Sequence, residues 1–123
     1  MASLLPTASA EEDLSGVYQS SGLHRATLVM GAYESQRYAV YLRIVLPHSG
    51  GEIAGIAERS GDVLTLRRRI VGEDRPQFAY CTVKIRVRRG VASVISEQYC
   101  SNWHGVGASF EEAASNLRIS GVR

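Results

Sequence analysis

The stretch Arg37-Tyr38-Ala39-Val40-Tyr41-Leu42-Arg43-Ile44-Val45-Leu46 decides the fold class. Tyr38, Val40, Leu42, Ile44 and Leu46 fall on one side, and Tyr41 and Arg43 on the other. Apolar residues two apart share one face of a strand but scatter around a helix, so this is a half-buried β-strand. Pro47-His48-Ser49-Gly50-Gly51 ends it, because proline lacks a ladder donor and paired glycines favour turns. Ala79 to Arg88 reads the same way, with Cys81, Val83, Ile85 and Val87 opposite Thr82, Lys84, Arg86 and Arg88.

Working outward, further alternating runs cover Gly16 to Ser21, Arg25 to Gly31, Glu52 to Glu58, Asp62 to Ile70 and Ala92 to Tyr99. Leu64, Leu66 and Ile70 are expected to face inward; Thr65, Arg67 and Arg69 are expected to face water. Glu111 to Leu117 fits a helical turn before a closing strand at Leu117 to Ser120. About eight short strands on hairpin-like connections predict an all-β fold, a small antiparallel up-and-down barrel, with a sandwich as the second architecture. Closure into a barrel also removes exposed strand edges.

The 123 residues suit one domain over 11–123, preceded by a tail at 1–10. In that tail, Ala8-Ser9-Ala10 matches the small-residue cleavage pattern of an export signal. Periplasmic or secreted localisation is the corresponding expectation. No apolar run approaches the ~20 residues of a membrane-spanning helix. The formal net charge is only +2, too small for an obligate nucleic-acid binder. Thirteen of the fourteen basic residues are Arg, with Lys84 alone as Lys. Arg67, Arg69, Lys84, Arg86 and Arg88 are expected to make an outer face that is cationic.

Two cysteines in an exported chain are most simply one disulfide, Cys81–Cys100. If Val87 faces Val94 across the hairpin, the same register brings Cys81 opposite Cys100. That register leaves Ser96 and Gln98 on the Val83 face, which a bulge in Ala92 to Tyr99 would alter. His24, His48 and His104 occupy three separate turn regions, and no zinc-type spacing is present, so neither a metal nor another cofactor is expected. No nucleophile-elbow, dinucleotide or phosphate-loop motif occurs, so the chain is not expected to be an enzyme. Two catalytic arrangements remain: Cys100 with His104 four residues later, which requires a free thiolate, and a glycosidase carboxylate pair drawn from Glu52, Glu58 or Glu97, which would have to converge in three dimensions.

The densest segment is Tyr99-Cys100-Ser101-Asn102-Trp103-His104-Gly105-Val106-Gly107-Ala108-Ser109-Phe110, which holds the only Trp in a polar, Gly-rich loop. Rigid loops that carry aromatics are common binding anchors; alternatively, Trp103 plugs the barrel end. This pattern resembles small exported bacterial barrels with a late Cys, an aromatic-His-Gly loop and a closing strand. It is similar to the periplasmic and membrane-bound inhibitors of c-type lysozyme, whose Ser-Gly-x-x-Tyr-like loop core Gly107-Ala108-Ser109-Phe110 loosely matches, with Phe110 where Tyr is usual.

The resemblance implies a small eight-stranded barrel that blocks a host c-type lysozyme by inserting this loop in its cleft. Ser101, Asn102, Trp103, His104, Ser109 and Phe110 are then the partner-binding residues. Glu97, Glu111 and Glu112 would supply the local negative charge that a cationic lysozyme requires. The competing reading is a lipocalin-like small-ligand carrier or an envelope binding module. A cavity lined by Tyr38, Val40, Leu42 and Leu66 favours the carrier, and a filled interior favours the inhibitor. Self-association into a homodimer is left open.

Overall fold

The computed structural model describes residues 12–20 and 25–120. The cleavage-like Ala8-Ser9-Ala10 and His24 lie outside them. Each alternating run becomes a strand: β1 (Gly16–Gln19), β2 (Arg25–Glu34), β3 (Arg37–Val45), β4 (Gly50–Ser60), β5 (Val63–Arg69), β6 (Tyr80–Arg88), β7 (Val91–Gln98) and β8 (Leu117–Ser120). They pair in chain order, all antiparallel, and β1 pairs with β8 to close the barrel. One short helix, α1 (Phe110–Ala113), precedes β8. β4 begins at Gly50, two residues before the expected Glu52, so the glycine pair read as a turn is the first rung of a strand.

Alternation sends one side of every strand inward. Leu28, Met30, Tyr38, Val40, Leu42, Ile44, Ile53, Leu64, Leu66, Val83, Ile85 and Val87 are all buried in one contiguous cluster. The inward chains of Tyr38, Val40, Leu42 and Leu66 pack among these neighbours, so the middle of the barrel is filled by side chains. Ile70 falls just past the end of β5 and is half-buried, short of the buried position expected for it.

The end carrying the β2–β3, β4–β5 and β6–β7 hairpins is stoppered by Leu14. Its N–H donates to the Tyr38 hydroxyl (3.0 Å), and the Tyr18 hydroxyl donates to its carbonyl (2.8 Å). Burial raises the pKa of the Tyr18 phenol, which keeps it a donor. β8 pairs with only two residues of β7, Val91 and Ala92 beside the β6–β7 hairpin, which leaves a gap toward the other end. Beyond them Val94 N–H donates to the Ala114 carbonyl (2.8 Å), and α1 covers the gap. Phe110, Ala113 and Ala114 are buried there.

The β6–β7 hairpin corrects the expected register. Val87 faces Ala92, not Val94. Arg89 (φ 54°) and Gly90 (φ 77°) both lie in the left-handed region, as a two-residue type I′ turn requires, and that turn locks Arg88 to Val91. An extra residue, Ile95, is then absorbed between the pairs Ile85–Val94 and Lys84–Ser96. Ser96 therefore faces outward beside Lys84, while Glu97 comes opposite the inward Val83. A second extra residue, Tyr99 at φ 58°, follows the last pair, Thr82–Gln98, and brings Cys100 level with Cys81. Their Cα atoms are 4.6 Å apart and the disulfide is formed. The expected bridge is present, but two inserted residues create it.

Two outcomes check this fold. Leu66→Ala should cost about 2–5 kcal/mol in chemical denaturation, because the surrounding barrel cannot collapse onto the void. Cys81 and Cys100 should resist alkylation until reduced. Reduction should then lower stability by roughly 3 kcal/mol, given the 19-residue separation they span.

Candidate functional site

The segment from Cys100 to Ser109 is fastened at five places. Cys100 is held by the disulfide. Ser101–Trp103 form one 3-10 turn, with Trp103 N–H donating to the Cys100 carbonyl (2.9 Å). The indole is half-buried and packs against the core cluster. The Arg68 guanidinium lies over its ring at 5.8 Å and donates to the Ala54 carbonyl. Arg68 continues the inward phase of Leu64 and Leu66, so at the strand's end its chain crosses the barrel mouth.

The third fastening is a bridge between His104 and Gly51 on β4, with Gly105 N–H donating to the Gly50 carbonyl (2.9 Å). A Cβ on Gly51 would lie 2.6 Å from His104 Cα. This close approach explains a glycine inside the first rungs of β4.

Glu97 supplies the fourth. Its carboxylate lies 2.7 Å from His104 Nε2, with both side chains largely buried. It also accepts from Phe110 N–H (2.6 Å), Glu111 N–H (3.2 Å) and the Ser109 hydroxyl (3.4 Å). Ser109 in turn caps α1, accepting from Glu112 N–H (3.3 Å). Finally, the His104 ring meets Phe110 edge-on, with centroids 5.1 Å apart.

What remains free is the tip. Ala108 N–H donates to the Gly105 carbonyl (3.0 Å), and Gly107 has φ 81°. This is a tight turn whose third residue needs a positive φ that glycine adopts freely. Val106, the second residue, is fully exposed. An apolar side chain thus stands alone between two glycines on a loop that has little freedom left to lose.

The six expected site residues therefore divide. Ser101 and Asn102 are exposed, and Trp103 is half-buried. His104 and Ser109 point at Glu97, and Phe110 is fully buried in the core, where no partner can touch its ring. Sequence reading passed over Val106, because nothing marks a lone valine in a glycine loop. Glu97, expected as local negative charge for a partner, is turned inward by the bulge and holds the loop instead.

The outer face of β5 and β6 carries Arg67 and Arg69 over the Tyr80 ring, at 4.3 and 5.7 Å. Asp62 partly neutralises this face, 2.7 Å from Arg88 and 4.0 Å from Arg86. The Arg88 hydrogen bond lowers the pKa of the Asp62 carboxyl below the usual value. Cys100 is bonded to Cys81 and offers no thiolate. Among the described residues, no three His, Cys, Asp or Glu side chains converge as a metal set. Among the same residues, no helix is long and apolar enough to cross a membrane. The disulfide is compatible with an oxidising compartment.

No protein-family model, curated protein or solved structure matches this chain. The class that its fold and loop define is a solid-cored, disulfide-braced antiparallel barrel carrying one pinned surface loop.

Gly51→Ala should drive the His104 backbone off β4, with a loss of about 1–3 kcal/mol from overpacking. The measurement is denaturant unfolding together with amide shifts for residues 103–106. Unchanged shifts there would show that the bridge to β4 does not hold the loop.

Proposed function

We propose that this barrel is an exported protein-binding module that seats the Gly105–Gly107 tip in a cleft of another protein. A host c-type lysozyme is the partner that the sequence resemblance names. The observation that carries this reading is the fully exposed Val106 on a loop fastened by a disulfide, a strand bridge and a carboxylate hub. Such a loop gives up little conformational entropy on docking, so contact energy converts efficiently into affinity. Its flat glycine shoulders suit a narrow cleft. The filled interior supports this reading over a carrier, which needs enclosed volume for its ligand.

Charge is the other consideration. With a net +2 the chain gains nothing from long-range steering toward a cationic lysozyme. Glu97 cannot help, since its carboxylate is spent on the loop. Glu111 and Glu112, exposed just beyond the tip, supply the local negative charge. The exported, periplasmic or secreted setting belongs to the same proposal.

A turbidity assay with c-type lysozyme tests it. The unmodified protein should inhibit lysis, and Val106→Arg should weaken inhibition at least tenfold, about 1.4 kcal/mol, without lowering Tm. Arg67→Ala and Arg69→Ala, on the outer face of β5 over the Tyr80 ring, should change little. Full inhibition by the Val106 variant would move the contact away from the tip. Absence of inhibition across several c-type lysozymes would remove the lysozyme as partner.

A further inference from the structure

Beside the start of the loop lies an open groove of about 360 Å3 lined by Ile70, Glu73, Arg75, Phe78, Tyr99, Ser101 and Asn102, none of them at the Gly105–Gly107 tip. One wall is the β5–β6 connection, closed at its base where Ile70 N–H donates to the Ala79 carbonyl (2.8 Å). The other is the chain on either side of the disulfide. Both walls are therefore fixed before any ligand arrives.

Tyr99 is the unusual member. Its φ of 58° lies in the left-handed region, which a bulky side chain adopts only when its surroundings force it and which glycine adopts freely. Neither turn chemistry nor burial requires a tyrosine there, since its side chain is about half exposed. The conformation swings the ring out of β7 and edge-on to Phe78, with centroids 5.1 Å apart. Arg75 covers Phe78 at 4.8 Å, so Tyr99 is left as the exposed aromatic platform. Strained, exposed residues of this kind cluster at binding sites.

The groove's polar groups narrow the ligand. Glu73 and Arg75 make a two-pronged pair, 2.7 and 3.1 Å, and Glu73 also accepts from Arg75 N–H at 3.0 Å. That pairing carries the Glu73 carboxyl down to about 2, so both groups stay ionised and mutually neutralised. These are the two charged residues among the groove's lining, and they offset each other. The Tyr99 hydroxyl, Ser101 hydroxyl and Asn102 amide make no hydrogen bond to another described residue. A purely apolar ligand would strip water from all three without replacing it. What fits is an uncharged molecule with an apolar face for Tyr99 and Ile70 and hydroxyls along its edge.

We infer that this groove binds one ring of a neutral saccharide, stacked on Tyr99 and hydrogen-bonded by Ser101 and Asn102. The volume is near the lower limit for small-ligand sites, and the open side lets the rest of a chain continue into solvent. The inference stands apart from the partner reading, because its lining does not include the Gly105–Gly107 tip and it is read without lysozyme.

The test is a 15N titration with cellotetraose, maltotetraose and the N-acetylglucosamine tetramer, each to about 10 mM, tenfold above a weak Kd of about 1 mM. At least one should shift the amides of Phe78, Tyr99, Ser101 and Asn102. Tyr99→Gly removes the ring while relieving its backbone, so affinity should fall at least tenfold with Tm unchanged or raised. Asn102→Ala should weaken binding several-fold. No shift with any probe, shifts confined to other faces, or undiminished binding by the Tyr99→Gly variant would overturn the site. Tighter binding of a charged tetragalacturonate than of every neutral probe would overturn its neutral character.

Discussion

A carboxylate carried to the inner side of a barrel wall must find donors, because desolvating its charge costs several kcal/mol unless hydrogen bonds replace the lost water. Glu97 is in that position because Ile95 is an extra residue in β7, which shifts the following residues to the opposite face. The donors all come from one segment, as Phe110 N–H, Glu111 N–H, the Ser109 hydroxyl and the His104 ring converge on its two oxygens. One bulge thus fixes where the chain after Cys100 must go. Phe110, held by its own N–H, drops into the core, and burying it contributes about 1.5–3 kcal/mol. What cannot follow it inward, Gly105 to Gly107, is left as a rigid projection.

The two ends of the barrel are therefore built differently. The hairpin end is closed by Leu14 and two tyrosine hydroxyls and presents short turns. The other end carries the 70–79 connection, the disulfide and the 99–110 segment, which together give the tip and the groove. The interior between them is filled, so the barrel serves as a platform for these surfaces. Tyr99 shows what that arrangement costs locally. Holding a non-glycine residue in the left-handed region takes of order 1–3 kcal/mol, and the disulfide at the next residue helps hold it there.

The strands and the closed architecture were legible because alternation reports directly on which face is buried. Tyr38 to Leu46 and Cys81 to Val87 needed no further information. The β7 register was not legible from pairing apolar residues alone. Its clues were local: Arg89-Gly90, a two-residue turn, and Val94-Ile95, two apolar neighbours that interrupt alternation. Gly50-Gly51 was misread because a missing side chain resembles a turn signal, while its use is to admit the His104 backbone. The loop was located but not resolved into parts. Outside regular structure no periodicity tells a buried Phe110 from an exposed Val106, and only tertiary contacts decide which way each points.

The dependence of this end on one carboxylate is tested most directly by amide hydrogen exchange in Glu97→Ala. Protection at Phe110 and Glu111, whose N–H groups bond Glu97, should collapse together with that at Gly105, which is carried by the His104 bridge. Protection in the centre of β2 and β3 should persist. Retained protection at Phe110 and Glu111 in that variant would contradict the role given to Glu97.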